Sequence, residues 1–190
     1  MRKVIVSMNV TLDGYLSGPE GELDWHFDAW SADMAGALCT ELNGADTILL
    51  GRESYLAMSA YWSSCGSDLY FPREDLAFAD MMNNHKKIVF SKTLEYASWK
   101  NSTLWRGTVR AAISDLRKQP GKNIIVYGSG KLVDALVAEQ LVDIYRLWLH
   151  PVALGRGRAL FKKLRSRLNL KPESIERFSS GVIALSYDAF

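Results

Sequence analysis

Glycine, serine and basic side chains recur where predicted strands give way to helices. The clearest case is Gly128, Ser129 and Gly130, which follow the apolar run 123–127 and precede a helical pattern that begins at Lys131. Glycines let the backbone approach a ligand closely, and the unpaired N–H groups and positive dipole of a helix N-terminus suit a phosphate. An ordinary strand-to-helix turn that binds nothing has the same spacing, so this motif alone leaves both interpretations open.

Two further strand ends carry groups of the same kind. Gly51 and Arg52 follow the apolar run 46–50, and the planar fork of arginine matches phosphate oxygens. Ser91 and Lys92 follow the next predicted strand. Ligands of open α/β sheets bind at the carboxyl ends of the strands, so three such ends predict one site for a ligand with several phosphates. None of these ends supplies an acid for a ribose 2′-hydroxyl, which favours NADPH over NADH.

The glycine motif departs from two common nucleotide-binding patterns. The Rossmann fingerprint requires a third Gly or Ala where this chain has Val133, and an acid at the end of the next strand. Asp143 instead stands at the start of that strand. No GxxxxGK[ST] segment occurs, which excludes a P-loop. The phosphate site therefore belongs to neither class.

Short apolar runs alternate with helical patterns and would position these strand ends. Strands are predicted at 4–10, 46–50, 87–90, 123–127 and 144–152, and helices at 27–42, 53–58, 74–84, 109–118 and 131–140. The last apolar runs, 174–178 and 182–189, flank a turn-like Ser-Ser-Gly segment and predict an antiparallel hairpin. We therefore expect an α/β fold in which a mixed, mainly parallel sheet carries helices on its faces, as a single domain over 1–190.

Composition limits the classes of function. The chain has 190 residues, 48% hydrophobic and 23% charged, which is typical of a globular domain, and its net charge of +2 gives no case for nucleic acid or membrane partners. Two cysteines without metal spacing favour a cytoplasmic protein, and His26, His85 and His150 share no spacing for a metal. The basic run 156–167 predicts a solvated surface, with a phosphate ligand or an intersubunit contact as alternatives.

The motifs, taken in order, resemble the dihydrofolate-reductase superfamily. They are LDGYLSG followed by a tryptophan, ILLGRESY, IVFSKTL, IIVYGSGKLV and LVDIYRLWLHPVALGRGRALF. More closely, the chain resembles the C-terminal reductase domain of the bifunctional riboflavin-biosynthesis protein RibD and its single-domain relatives. The resemblance implies a three-layer αβα fold with a sheet of about eight strands, an NADPH cofactor, and hydride transfer to a pyrimidine or pterin-like heterocycle. It also implies a homodimer to which the segment 155–158 contributes.

The resemblance also assigns expected site residues, motif by motif. The expected cofactor-binding residues are Asn9, Leu16, Gly51, Arg52, Glu53, Ser54, Ser91, Lys92, Gly128, Ser129, Gly130, Lys131 and Leu132. Asn9 and Leu16 would flank the nicotinamide, and Lys92 would meet the adenosine 2′-phosphate. Trp25 matches the tryptophan that closes the active-site loop of dihydrofolate reductase, so it is expected at the substrate.

The proton donor is left open among Asp13, Asp28 and a bound water, and Asp13 in its Asp-Gly turn could equally be a turn residue. The pterin-binding acid of dihydrofolate reductase would fall on Trp30, and Asp28, two residues earlier, would face elsewhere on a helix. This mismatch argues against true dihydrofolate reductase activity. That activity stays an alternative, as does a non-catalytic module that binds NADPH or another small molecule.

Aromatic side chains are concentrated in the segment between the second and third predicted strands. Tyr61 and Trp62, with Tyr70 and Phe71, could stack on a planar substrate or could pack the segment against the protein. Tyr61 and Trp62 are therefore candidate substrate-binding residues.

Overall fold

The computed structural model describes residues 1–63, 73–164 and 166–189. The strands are β1 (Val4–Thr11), β2 (Tyr15–Ser17), β3 (Ala45–Gly51), β4 (Lys86–Phe90), β5 (Ser102–Trp105), β6 (Asn123–Tyr127), β7 (Ile144–His150), β8 (Arg158–Ala159), β9 (Leu170–Arg177) and β10 (Ile183–Ala189). The α-helices are α1 (Ala32–Asn43), α2 (Arg52–Trp62), α3 (Arg73–Asn84), α4 (Val109–Lys118) and α5 (Gly130–Ala138), and a short 3-10 helix covers Asp24–Ala29.

The main sheet has eight strands in the order β5-β4-β3-β6-β1-β7-β10-β9. The first six strands in this order run parallel, and β10 and β9 pair antiparallel at one edge. The predicted fold class, with its C-terminal hairpin, is confirmed. Within the described ranges, no helix is long and apolar enough to cross a membrane.

Helices cover both faces of the parallel strands, and β1 shows why its sequence is apolar throughout. Val4 and Val6 pack into a core cluster with residues of α4 and α5, while Ile5 packs into a second cluster with residues of α1 and α3. Because successive side chains of a strand point to opposite faces, a strand between two helical layers needs apolar residues at nearly every position. The result is the expected three-layer αβα arrangement.

The chain leaves β3 and β6 in opposite directions along the sheet. β3 continues through α2 and α3 to β4 on one side, whereas β6 continues through α5 to β7 on the other. Since β3 and β6 are neighbours, their carboxyl ends diverge and form a topological switch point. Ligands of open α/β sheets bind in the crevice at such a point.

The structure corrects the predicted boundary of the first helix. The helical pattern at 27–42 begins too early, because the 3-10 helix ends before Trp30, and Ser31 is extended with φ −146°. The Asp33 carboxylate accepts hydrogen bonds from the Ser179 backbone N–H and hydroxyl, at 2.8 and 2.9 Å. This tertiary tie to the β9–β10 turn fixes the start of α1, which a local pattern cannot reveal.

Short strands account for the other differences. β5 was not predicted, and neither were β2 and β8, which pair with each other in a separate two-stranded sheet. The predicted strand 144–152 ends at His150, because Pro151 follows and cannot donate to the ladder. The β2–β8 pairing matters for the site, since it fixes the loop after β1 to the segment after β7.

Candidate functional site

The loops after β3 and β6 are joined at the switch point by a serine. Ser129 adopts a left-handed conformation, with φ 66°, and places its hydroxyl between the two loops. The Gly51 N–H donates to Ser129 Oγ at 2.6 Å, and that hydroxyl donates to Ser54 Oγ at 2.7 Å. A Cβ on Gly51 would lie 2.9 Å from Ser129 Oγ, and one on Gly128 would lie 2.9 Å from Ser54 Oγ. The structure thus brings four expected cofactor residues together, with glycine where a side chain would collide.

A guanidinium lies at the N-terminus of α5. A Cβ on Gly130 would collide with the Arg158 side chain, whose Nη2 donates to Asp134 Oδ2 at 2.8 Å. Arg158 comes from β8, so the β2–β8 pairing positions it there. Lys131 is exposed beside it, and Leu132 is buried in the core. The helix end expected to bind phosphate therefore has a second cation that sequence analysis placed only in a general basic run.

The start of α2 presents an exposed pair of charges. The side chain of Arg52 is 49% exposed and lies 3.3 Å from the Glu53 carboxylate. An exposed pair of this kind is weak, so Arg52 is free to exchange its partner for an anionic ligand.

The loop after β4 combines a structural serine with two cations. Ser91 Oγ accepts the backbone N–H groups of Thr93 and Leu94, at 3.2 and 2.9 Å, and so holds the turn. Lys92 is exposed, and Arg106 donates to the carbonyl oxygens of Lys92 and Leu94, at 2.9 Å each. Arg106 follows β5, which was not predicted, so Arg106 was not among the expected residues.

A cluster of polar and aromatic side chains lies at the carboxyl ends of β1 and β7. His150 is 1% exposed, and its Nε2 lies 3.2 Å from Asn9 Oδ1. The Trp25 ring meets the His150 ring edge-on, with centroids 5.2 Å apart, and the His26 centroid is 6.2 Å away. Burial, and then the charge of His26, lower the pKa of His150 to about 4, so its imidazole is neutral near pH 7. We call these four residues the His150 cluster.

His85, by contrast, lies outside this cluster. Its Nε2 lies 3.1 and 3.0 Å from the carbonyl oxygens of Leu42 and Ala45, as expected of a structural histidine. Among the residues that the structure describes, no three His, Cys, Asp or Glu side chains are grouped to hold a metal ion.

A second buried polar network lies deeper on the same face of the sheet and is centred on Glu41 of α1. Its carboxylate accepts the Ser7 hydroxyl at 2.8 Å and the Tyr127 hydroxyl at 3.2 Å, and lies 3.6 Å from Arg146 Nε. Burial raises the pKa of Glu41 to about 7. Glu41 follows Leu38 by three positions and so shares the buried face of α1; that spacing was the signal in the sequence that could have identified it. We call these four side chains the Glu41 network.

The two candidate proton donors lie in different settings. The Asp13 carboxylate accepts the Thr11 hydroxyl at 2.6 Å and the N–H groups of Gly155 and Leu154, at 2.7 and 3.2 Å. The Thr11 hydrogen bond is the main cause of a lowered Asp13 pKa. Asp13 therefore anchors the loop after β7 as an ionised carboxylate, and Asp28 is exposed on the 3-10 helix. Their catalytic roles stay predictions.

Three other residues that were expected to bind cofactor or substrate pack against other parts of the protein. Leu16 is 8% exposed and belongs to the core cluster on the α4 and α5 face. Trp62 packs against Phe78, with centroids 5.1 Å apart, and Tyr61 lies edge-on to Trp62 at 4.7 Å. This packing favours the structural interpretation of Tyr61 and Trp62. Tyr70 and Phe71, the other aromatic residues of this segment, lie outside the described residues.

The sequence profile of the RibD C-terminal domain matches residues 2–184. The chain belongs to the RibD C-terminal domain family. Among its relatives, the YyaP protein of Bacillus subtilis is 34% identical over 186 residues, covering 98% of this chain and 94% of that protein. A second Bacillus subtilis protein, YwjB, is 24% identical over 181 residues, with 95% of each covered.

Solved structures of RibD-like proteins share the fold. A riboflavin biosynthesis protein from Shewanella sp. PV-4 superposes with a TM-score of 0.74 at 22% identity, with 99% of each chain covered. The bifunctional deaminase/reductase of Thermotoga maritima superposes with a TM-score of 0.68 at 17% identity, and this chain spans 57% of it. These superpositions show that the chain shares the fold of RibD-like proteins.

Proposed function

We propose that the protein is an NADPH-dependent reductase that transfers a hydride to a pyrimidine or pterin-like heterocycle. The observation that carries the proposal is the switch-point crevice, where Ser129 joins two glycine turns beside the N-termini of α2 and α5. Cations approach this crevice from three separate segments of the chain. Membership of the RibD C-terminal domain family supports the same assignment.

The residues present fit a dinucleotide with several phosphates. A side chain on Gly51 or Gly128 would collide where the two loops meet, and a side chain on Gly130 would collide with Arg158. N–H groups at helix N-termini and guanidinium groups both favour phosphate oxygens. Arg52, Lys131 and Arg158 would hold the pyrophosphate.

Lys92 and Arg106 would hold the 2′-phosphate that distinguishes NADPH from NADH. Lys92 is exposed on the loop after β4, and Arg106 binds the backbone of that loop through two carbonyl oxygens. The arginine therefore keeps the loop in place while adding positive charge to it. A phosphate that contacts this loop would be recognised by charge and by the fixed shape of the turn.

The His150 cluster would bind the heterocycle beside the nicotinamide. NADPH, when bound, supplies the hydride, so the protein has to orient the two rings and exclude water. Asn9 lies at the carboxyl end of β1, and Trp25 covers His150 from the 3-10 helix. Asp13, with its two oxygens already accepting hydrogen bonds, would position the loop, and Asp28 or water would deliver the proton.

Titration with NADPH and NADH, followed by quenching of tryptophan fluorescence, tests the proposal. The wild type should bind NADPH more tightly than NADH, and Lys92→Ala should weaken NADPH at least about tenfold while hardly changing NADH, because one charge-assisted contact is worth about 1.5–3 kcal/mol. Lys86→Ala is the matched control, since Lys86 is exposed on the same strand at the opposite end.

Three results would contradict parts of this assignment. Equal losses for the two cofactors in Lys92→Ala would remove the 2′-phosphate site. Tight NADPH binding without turnover of any pyrimidine or pterin substrate would favour a binding module. A rate on dihydrofolate that disappears in Asp28→Asn would favour true dihydrofolate reductase, and no binding of either cofactor would reject the reductase proposal.

A further inference from the structure

Two buried polar atoms of the His150 cluster have no hydrogen-bond partner within the described part of the chain. They are Nδ1 of His150 and Nε1 of Trp25. Buried polar groups in folded proteins are almost always paired, and leaving one unpaired costs about 1–3 kcal/mol. Both atoms belong to rings in edge-on contact, with centroids 5.2 Å apart. An acceptor and a donor in adjoining rings, both buried and unpartnered, indicate a ligand that satisfies the two together.

The contact with Asn9 assigns the tautomer of His150. Its Nε2 lies 3.2 Å from Asn9 Oδ1, and a carbonyl oxygen can only accept. The proton of the neutral imidazole therefore sits on Nε2, and Nδ1 carries a lone pair. The Trp25 indole is a donor only. The cluster offers one acceptor and one donor to whatever lies between them.

This pattern selects among ligand classes. A carboxylate or phosphate oxygen would be repelled by the Nδ1 lone pair. An ammonium group, which is a donor only, could not bind the indole N–H. A planar ring with a N–H beside a C=O, the lactam or imide edge of an oxidised pyrimidine or pteridine, satisfies both atoms without any charge. His150 is 1% exposed, and desolvation makes a mismatched polar contact costly, so the discrimination should be large.

We propose that His150, held in its tautomer by Asn9, determines substrate specificity by accepting a hydrogen bond from the ring N–H of a lactam or imide, whose carbonyl oxygen accepts the Trp25 N–H. The inference rests on the proposed function, because it names the substrate edge that the reductase site recognises. His150 acts here as a positioning residue and takes no part in the transfer of the hydride.

Binding of lumazine, a pteridine-2,4-dione, to the protein tests the inference. Lumazine has a N–H beside each ring carbonyl, and 1,3-dimethyllumazine has the same ring without these N–H groups. The wild type should bind lumazine at least about tenfold more tightly, as expected for one buried hydrogen bond whose loss leaves a polar atom unpaired. His150→Phe keeps an aromatic ring but removes the acceptor, so it should bind the two compounds alike.

The matched control makes the same substitution outside the cluster. His85→Phe changes a histidine whose Nε2 contacts the carbonyl oxygens of Leu42 and Ala45, so the preference for lumazine should persist. The nitrogen resonances of His150 give a readout on the unmodified protein. They should report a protonated Nε2, and the Nδ1 resonance should move when lumazine binds and stay in place with dimethyllumazine.

Titration of the wild type with NADPH, and of Lys92→Ala with both lumazines, separates this inference from the reductase proposal. Lys92→Ala should keep the preference for lumazine, since Lys92 is exposed on the loop after β4 and lies outside the His150 cluster. The inference is overturned if His150→Phe retains the preference for lumazine, if the Nδ1 resonance does not move when lumazine binds, or if lumazine does not bind. A lumazine preference in a protein that fails to bind NADPH would support the lactam site and reject the reductase proposal.

Discussion

The Glu41 network and the His150 cluster bury polar side chains on the same face of the sheet, but they differ in where the partners come from. Glu41 accepts the Ser7 and Tyr127 hydroxyls, and its remaining oxygen faces Arg146 Nε at 3.6 Å. In the His150 cluster, His150 Nδ1 and Trp25 Nε1 have no hydrogen-bond partner among the described residues. Within the same part of the chain, Glu41 Oε1 and Arg146 Nε also lack a hydrogen bond, but they face each other as an ion pair. Buried polarity alone therefore does not mark a binding site; a buried polar atom with neither a hydrogen bond nor an ion-pair partner does.

The position in the fold explains this difference. The Glu41 network joins the middle of β1 and β7 to α1, where no ligand has to enter, so its hydrogen bonds stabilise the packing of helix on sheet. The His150 cluster lies at the carboxyl ends of the strands, where ligands of open sheets bind. Substitutions in the first region should change stability, and substitutions in the second should change binding.

The largest effect is expected when Glu41 is removed. Glu41→Ala leaves the Arg146 guanidinium, 17% exposed, without its buried partner, and leaves the Tyr127 hydroxyl without an acceptor. The free energy of unfolding should fall by about 3 kcal/mol, as measured by urea denaturation. Glu176→Ala is the control, because Glu176 also pairs with Arg146 but is 45% exposed, and it should cost less than about 1 kcal/mol. Similar losses in the two variants would show that burial does not set the strength of this network.

The two regions should also respond oppositely to pH. Burial raises the pKa of Glu41 from 4.5 to about 7, so the folded state holds this proton more tightly than the unfolded chain does. That contribution to stability is complete below pH 4.5 and is lost as the pH rises to about 7. Burial lowers the pKa of His150 from 6.5 to about 4, so its contribution is complete above pH 6.5 and is lost as the pH falls to about 4.

Single variants should separate these opposing slopes. In the wild type the two contributions largely cancel between about pH 4.5 and 6.5. Glu41→Gln should make stability rise more steeply with pH in this range, by up to about 3 kcal/mol across it, and His150→Phe should make it fall. Urea denaturation at several pH values measures both. Parallel pH profiles for the wild type and the two variants would reject the opposed titration.

The fold could be predicted because it depends on local patterns. Apolar runs identified β1, β3, β4, β6 and β7 because strands between two helical layers are apolar on both faces. The strand ends that carry glycine and basic residues could also be predicted, because the end of an apolar run is visible in the sequence. The α/β class and the family were therefore accessible before any coordinates.

The parts of the site that could not be predicted depend on contacts between distant segments. His150 lies far in sequence from Asn9 and Trp25. The parallel pairing of β1 with β7 brings it to Asn9, and the 3-10 helix brings Trp25 to it. Arg158 reaches α5 because β2 pairs with β8, two strands too short to show a pattern. The homodimer and the cytoplasmic location stay predictions from resemblance and composition.

The smallest expected effect concerns Ser129, a third polar contact, which resembles the Glu41 network because its partners lie within the protein. Its hydroxyl accepts from Gly51 and donates to Ser54, while its φ of 66° favours glycine. Ser129→Gly and Ser129→Ala lose the same hydrogen bonds, but alanine keeps the left-handed strain. Alanine should therefore be less stable than glycine by about 1 kcal/mol, the reverse of their usual order in a helix, as measured by thermal unfolding. If alanine is at least as stable as glycine, the left-handed turn relaxes without the hydroxyl, and Ser129 does not fix the two loops.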